Sequence, residues 1–170
     1  MESIPLNEKY SSPSGERPIS VVPAGKDVSG EKRGLGVSNV TFKVVPGDET
    51  GILILENTFH AKGGPPRHLH REQDEWFYAV EGEFIIEIGT ERFYLKSGDS
   101  LLAPRGIPHV WAYVGNGIGR ILITFMPAGK MVAFFSKTTS ANAMPPSKSG
   151  TMACSWNGID WTTIAIGLMC

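Results

Sequence analysis

The feature that most constrains the fold of this chain is a series of short β-rich runs separated by turn residues. Nine runs of four to nine residues are apolar or rich in Val, Ile, Phe, Tyr and Thr, and Gly, Pro, Asn or Asp punctuates their connections. The runs cover residues 19–22, 37–45, 51–59, 75–80, 83–88, 92–95, 100–103, 109–114 and 120–126. This pattern is typical of an all-β sandwich or barrel, and it predicts dense hairpins between residues 75 and 103.

The two ends of the chain have a different composition. Residues 1–18 are polar and contain three prolines, so we expect a flexible arm or a docked edge strand ahead of a barrel domain at 19–135. One short helix is predicted at 130–135, where it would close one end of the barrel. Residues 136–170 are rich in Ser, Thr, Pro, Ala and Gly, and their pattern predicts no particular structure for this tail.

Length and charge exclude several classes of protein. The 170 residues suit one domain, and 16 Lys and Arg against 17 Asp and Glu give a net charge of −1, without the basic excess that a nucleic-acid partner requires. No apolar run is long enough to span a membrane, and the first residues lack a secretory signal, so we expect a cytoplasmic protein. The two cysteines, Cys154 and Cys170, are too few for a disulfide framework and are expected to be reduced.

Three histidines and one glutamate form a candidate metal site. In an extended chain the side-chain period is two, so His68 and His70 face the same side and Glu75 can add an oxygen from the next strand. His109 follows a Pro/Gly turn and can supply a third imidazole. This donor set suits one divalent transition metal, namely Fe, Mn, Ni, Cu or Zn, and leaves coordination positions free. His60, the fourth histidine, belongs to no such spacing and is left out.

The residues around these candidate ligands allow two interpretations. Phe77 shares the predicted face of Glu75, while Trp111 and Tyr113 share that of His109, so all three either line a pocket for a flat substrate or fill space in the core. Five charged residues near the ligands are expected to lie in solvent or at turn positions that accept most residue types, and none is given a catalytic role. They are Arg67, Arg71, Glu72, Asp74 and Arg105.

Two sequence motifs resemble those of the cupin superfamily. The first has the form His-x-His, three or four residues, Glu, six residues, Gly, and His68, His70, Glu75 and Gly82 match it. The second runs Gly, five residues, Pro-x-Gly, two residues, His, three residues, Asn, and is matched by Gly98, Pro104, Gly106 and His109, with Tyr113 in place of the final Asn. The resemblance covers roughly residues 35–135 and is greatest to bacterial quercetin 2,3-dioxygenase-like cupins.

The resemblance implies a fold and an activity. The fold would be a single jelly-roll β-barrel holding a metal through His68, His70, Glu75 and His109. The activity would be that of a metal-dependent dioxygenase acting with O2 on a small aromatic or enolic substrate, with Glu75 accepting a substrate proton. The alternatives are a non-catalytic small-molecule-binding cupin and a metal-dependent isomerase or lyase. We also expect a homodimer, because the amino-terminal arm could add a strand to a neighbouring copy.

Overall fold

The computed structural model describes residues 21–141, and its fold confirms the predicted all-β class with a short helix after the last strand. The residues outside this range include the whole of the predicted arm, 1–18, and most of the tail, 142–170. The elements are β1 (Arg33–Leu35), β2 (Ser38–Val44), β3 (Leu53–Phe59), β4 (Asp74–Glu81), β5 (Phe84–Ile88), β6 (Glu91–Leu95), β7 (Ser100–Ala103), β8 (His109–Tyr113), β9 (Gly119–Met126) and α1 (Met131–Ala141).

The strands form two antiparallel sheets. One has six strands in the order β1-β2-β3-β9-β4-β7, and the other has three in the order β6-β5-β8. Rings from the two sheets meet between them, since Phe59 of β3 packs edge-on against Phe84 of β5 and Trp111 of β8, with centroids 6.0 and 5.6 Å apart. The hydrophobic core therefore lies between the sheets, as in a sandwich-like barrel.

The alternation of side chains along β4 places Glu75 inside this core. Glu75, Phe77 and Ala79 are at most 2% exposed, whereas Trp76 and Tyr78 between them are half-buried on the outer face. This confirms the predicted period of two. The buried face fixes the register of β4, because a slip by one residue would exchange the buried face with the outer face.

The prediction of a strand at residues 19–22 is wrong for the two of these residues that the structure describes. Residues 21 and 22 belong to no strand, residues 19 and 20 lie outside the described range, and the structure instead has β1 at Arg33–Leu35. β1 is a short strand whose sequence, Arg-Gly-Leu, carries no β-branched residue, so propensity gave no signal for it. It forms by pairing with β2, in the register Arg33↔Val40.

A buried ion pair supports β1. The carboxylate of Asp27 accepts hydrogen bonds from the backbone N–H of Ser29 and Phe42, at 2.8 and 2.7 Å, and forms an ion pair with Arg33. The guanidinium of Arg33 also lies 4.1 Å from the centroid of the Phe42 ring. Burial alone would raise the pKa of Asp27, but these hydrogen bonds and the positive charge outweigh it and hold the pKa below its ordinary value.

Helix α1 has 11 residues, so it is longer than the predicted 130–135. Met131 and Phe135 are buried, and the ring of Phe135 lies 6.2 Å from that of Phe42 and 5.9 Å from that of Phe125. The helix thus packs on the barrel through one face and continues beyond Phe135 into a Ser/Thr-rich stretch of low helix propensity. Within residues 21–141, no helix has the length and apolar character needed to cross a membrane.

Candidate metal centre

The structure brings together the four residues predicted as metal ligands. One ligand atom from each of His68, His70, Glu75 and His109 lies within 4.8 Å of the other three. Glu75 is the second residue of β4, and His109 is the first residue of β8. Four side chains from two separate motifs therefore surround one point at the end of the barrel where β4 and β8 begin.

Backbone pairing places the first two histidines. His68 and His70 precede β4 in an extended segment rather than in a regular strand, and an isolated β-bridge joins His68 to His109. The backbone N–H of Gly106 donates to the carbonyl of His70 at 2.7 Å. These links hold the first motif against the second. His68 and His70 therefore face the same side, as predicted, although they do not lie in a regular strand.

One carboxylate oxygen lies at the centre of the cluster. Oε2 of Glu75 is 2.8 Å from Nε2 of His109, 3.1 Å from Nε2 of His70 and 3.7 Å from Nε2 of His68. All three imidazoles thus direct the same nitrogen, Nε2, toward this oxygen. A metal ion bound here would have three nitrogen ligands and one oxygen ligand, each through a bond of about 2 Å.

Backbone carbonyls orient two of the imidazoles. Nδ1 of His68 lies 2.9 Å from the carbonyl oxygen of Pro66, and Nδ1 of His109 lies 3.0 Å from that of Ile107. Because a carbonyl can only accept, each Nδ1 carries the proton, and Nε2 of the neutral ring presents a lone pair to the site. Such an outer hydrogen bond is the usual partner of a metal-ligating histidine.

The third imidazole is buried without a hydrogen bond. Among the described residues neither nitrogen of His70 has a hydrogen-bond partner, although its Nε2 lies 3.1 Å from Glu75. A buried polar group left in this state costs about 1–3 kcal/mol. A metal ion would satisfy the lone pair of Nε2, so the residues present fit a divalent transition metal.

The electrostatics of the cluster follow from its single negative charge. Burial would raise the pKa of Glu75, but the close contacts of its carboxylate with His109, His68 and His70 outweigh it and hold the pKa well below its usual range. Burial likewise would lower the pKa of His68, yet the contact with Glu75 and the Pro66 carbonyl raise it. Glu75 is therefore a carboxylate at neutral pH, and protons compete with metal for the imidazoles.

The four ligands differ in their exposure to solvent. Among residues 21–141 the side chain of His68 is 25% exposed, whereas those of His70, Glu75 and His109 are 6%, 3% and 1% exposed. Within this part of the chain, His68 is therefore the ligand nearest to solvent.

Aromatic rings form the inner wall of the site. The ring of Phe125 lies 5.4 Å from that of His70, and the ring of Phe77 lies 6.4 Å from that of His109. The sequence indicated Phe77 but gave no signal for Phe125, which reaches the site because β9 pairs with β4 in the register Glu75↔Phe125. The immediate surroundings of the ligands are thus apolar on the protein side.

The other two candidate pocket residues lie deeper in the core. Trp111 contacts Phe77, with ring centroids 5.8 Å apart, and so stands behind the wall. Tyr113 packs against Phe59 and Phe84 and is 1% exposed, and no ring contact joins it to a ligand within the described part of the chain. A direct role in substrate binding stays a prediction for both residues.

Two arginines that the sequence analysis gave no role make specific contacts beside the ligands. Arg67 donates to the carbonyls of Gly89 and Pro108, both at 3.2 Å, and to Glu87 at 2.9 Å. Arg105 forms a two-point pair with Asp74, at 3.0 and 2.7 Å, and this pair holds the pKa of Asp74 at about 2. Nothing in the local sequence predicts these contacts, because their partners are 20 or more residues away in the chain.

The chain has relatives among known proteins. Residues 56–125 match the family model described as Cupin domain. The chain is 26% identical over 135 residues to germin-like protein 3-5 of Oryza sativa subsp. japonica, a match that covers 74% of this chain and 60% of that protein. It is 32% identical over 60 residues to the uncharacterized protein MJ1618 of Methanocaldococcus jannaschii, covering 35% of this chain and 48% of the relative. The chain thus spans about half to three fifths of the length of these relatives.

Solved structures share the fold. KdgF from Halomonas sp. superposes with a TM-score of 0.52 at 18% identity, covering 57% of this chain and 86% of that one. An RmlC-like cupin from Shewanella frigidimarina superposes with a TM-score of 0.51 at 24% identity, and the match covers 60% of this chain and 87% of that one. At these identities the likeness concerns the fold alone.

Proposed function

We propose that this chain, whose residues 56–125 match the family model described as Cupin domain, is a metal-dependent dioxygenase acting on a small aromatic or enolic substrate. The proposal starts from the four-residue cluster, which has the donors that a divalent transition metal prefers. When bound, such a metal supplies a Lewis acid for an enolic oxygen and an electron relay to O2.

The observation that carries the proposal is the aromatic wall beside the ligands. Phe125 and Phe77 pack against His70 and His109, so a substrate at the cluster meets apolar ring surfaces. Such a wall favours a flat, uncharged substrate over a phosphorylated or multiply charged one, since a buried charge needs a partner. It also keeps water from the reacting atoms.

The chain's own acid–base group would be Glu75. It is the one carboxylate of the cluster and is 2% exposed, so bulk water has little access to it. We propose that it accepts the hydroxyl proton of the substrate, while His68, His70 and His109 hold their positions through Nε2. A Glu75→Gln variant keeps the size of the side chain and removes this capacity.

Oxygen consumption tests the proposal directly. Protein loaded separately with Fe2+, Mn2+, Ni2+, Co2+ and Cu2+ is mixed with a panel of flavonols and other enols, and O2 uptake is followed together with substrate loss. We expect one loaded form to consume O2 in step with substrate, and the His109→Ala variant to consume none. Absence of O2 uptake with every metal and substrate would overturn the dioxygenase proposal.

The other outcomes of that experiment identify the alternatives. Substrate loss at an unchanged rate under anaerobic conditions would indicate an isomerase or lyase. Tight ligand binding without turnover would indicate a small-molecule-binding protein. The homodimer and the cytoplasmic location stay predictions, and sedimentation velocity tests the first of them.

A further inference from the structure

We infer that Arg67 and Arg105 are positioning residues for the metal centre, each fastening one ligand-bearing segment to the other. The first segment, residues 66–75, carries three of the ligands, and the second, residues 104–109, carries His109. Each segment contributes one arginine that contacts the opposite segment. The inference rests on the proposed metal binding and adds the residues that hold its geometry.

Arg67 fastens the first segment to the end of the second. It directly precedes His68, and its guanidinium donates to the carbonyl of Pro108, which directly precedes His109. The same guanidinium reaches Glu87 of β5 at 2.9 Å, and Glu87 is held in turn by Arg92 at 2.7 Å. Arg67 therefore connects both bridge-paired histidines to the β5–β6 hairpin.

Arg105 fastens the second segment to the start of β4. Its backbone N–H and its Nε both donate to one oxygen of Asp74, at 2.9 and 3.0 Å, while Nη2 donates to the other oxygen at 2.7 Å. Asp74 directly precedes Glu75 in the chain. A guanidinium that meets a carboxylate at two points fixes orientation as well as distance.

The two contacts differ in kind from those that build the fold. The side chains of Arg67 and Arg105 are 29% and 50% exposed, and ion pairs at such positions contribute little to the stability of a protein. Metal affinity is more sensitive, because ligand atoms must be held within about 0.5 Å of their bonding positions. Loss of either arginine should therefore weaken metal binding while the barrel stays folded.

Binding of Co2+ tests the inference. The variants are Arg67→Ala and Arg105→Ala, and the matched control is Arg71→Ala, which removes an exposed arginine next to His70. We expect the Kd for Co2+ to rise about 10- to 100-fold in each of the first two variants, as for other outer-shell partners of metal sites, and to stay within about twofold in the control. The visible absorption of bound Co2+ should change shape in the first two variants only, because it reports ligand geometry.

A charge exchange separates positioning from a general effect of lost charge. The double variant Asp74→Arg with Arg105→Asp rebuilds the pair in reverse and should recover part of the Co2+ affinity that each single change loses. Urea denaturation of the metal-free proteins should give the same midpoint for all variants within error. If an alanine variant does not fold, Arg67→Lys and Arg105→Lys take its place, since lysine keeps the charge but not the two-point contact.

The results that overturn the inference differ from those that overturn the proposed function. Parent-like Co2+ affinity and spectra in Arg67→Ala and Arg105→Ala, or their lysine equivalents, would remove the positioning role and leave metal binding intact. A parent protein that binds no Co2+ would remove the metal centre itself, and the positioning role with it.

Discussion

His68 and His109 donate their backbone N–H groups to each other's carbonyl oxygens, at distances of 2.9 and 2.8 Å. This reciprocal pair places the two imidazole rings with centroids 4.6 Å apart, although the residues are 41 positions apart in the sequence. The metal-ligand geometry is thus part of the β-structure and does not depend on side-chain rotamers alone. The free-energy cost of ordering the ligands is therefore part of folding and does not reduce the free energy of metal binding.

Replacing His70 by leucine should separate metal binding from stability. The variant loses one of the four ligands, so we expect the Kd for metal to rise by more than the roughly 100-fold upper limit for loss of an outer-shell partner. The free energy of unfolding without metal should fall by less than about 1 kcal/mol or rise, because leucine removes a buried imidazole with no hydrogen-bond partner among the described residues. Elemental analysis and urea denaturation measure the two effects.

The matched control for this change is His60→Leu. His60 lies outside the cluster and is exposed, with a contact to Asn39 at 2.9 Å. Its replacement should leave metal content unchanged. Stoichiometric metal in the His70→Leu protein would contradict the assignment of His70 as a ligand.

The buried carboxylate of Asp27 should make stability depend on pH. Its pKa in the folded protein lies below the ordinary value of 3.8, so its stabilising effect is complete above that pH and is lost as the pH falls toward the folded value. Asp27→Asn should lower the free energy of unfolding by about 2–4 kcal/mol at pH 7, since Arg33 loses its buried charge partner and keeps only the exposed Glu31. Urea denaturation from pH 7 to pH 2.5 should show the difference between parent and variant shrinking below pH 3.8.

Glu31 provides the control for Asp27. It also pairs with Arg33, but its side chain is 62% exposed. Glu31→Gln should therefore change stability by less than about 1 kcal/mol at any pH in this range. An equal effect of the two substitutions would show that burial of Asp27 is not the cause.

The metal ligands could be predicted from the sequence, but the residues that surround and position them could not. His68, His70, Glu75 and His109 were identified from spacing, because side-chain alternation and turn residues act over a few positions. Phe125 and the contacts of Arg67 depend on which strands become neighbours, as in the pairing of β4 with β9. Such contacts join residues distant in sequence, and one chain alone gives no signal for them.

The same reason explains the errors in the fold. Eight of the nine predicted strands appear in the described residues, and seven of them carry their own β-branched or aromatic residues; β7, Ser-Leu-Leu-Ala, carries neither. β1 carries no β-branched residue and is held by its pairing with β2, and α1, which packs on the barrel through Phe135, continues past its predicted end into residues of low helix propensity. Where tertiary contacts decide a local structure, propensity underestimates it.

Phe135 should be needed for the helix to stay on the barrel. Phe135→Ala removes a ring that is 6% exposed and packs on Phe42 and Phe125, so we expect a loss of about 3–4 kcal/mol in the free energy of unfolding. Lys130→Ala, which changes an exposed residue just ahead of the helix, should have an effect below about 0.5 kcal/mol. Thermal and urea denaturation compare them, and a loss under 1 kcal/mol for Phe135→Ala would mean that the helix is not docked there.

Tyr113→Phe distinguishes a core residue from a substrate contact. The hydroxyl of Tyr113 is buried with no hydrogen-bond partner in the described chain, and burial, with the charges of Glu81 and Glu83, raises its pKa. The ring fits against glycines, since a Cβ at Gly119 would lie 2.4 Å from it. Removing the hydroxyl should leave the free energy of unfolding unchanged or raise it by up to about 1 kcal/mol.

The KM and kcat of the Tyr113→Phe variant also distinguish a core residue from a substrate contact. If Tyr113 only fills the core, Tyr113→Phe keeps the KM and kcat of the metal-loaded protein, as should the control Tyr78→Phe on the outer face of β4. A rise in KM with kcat unchanged, in Tyr113→Phe alone, would place the hydroxyl in contact with substrate. In that case the pocket extends from the metal along β8 to its far end, and the apolar wall formed by Phe77 and Phe125 is only its inner part.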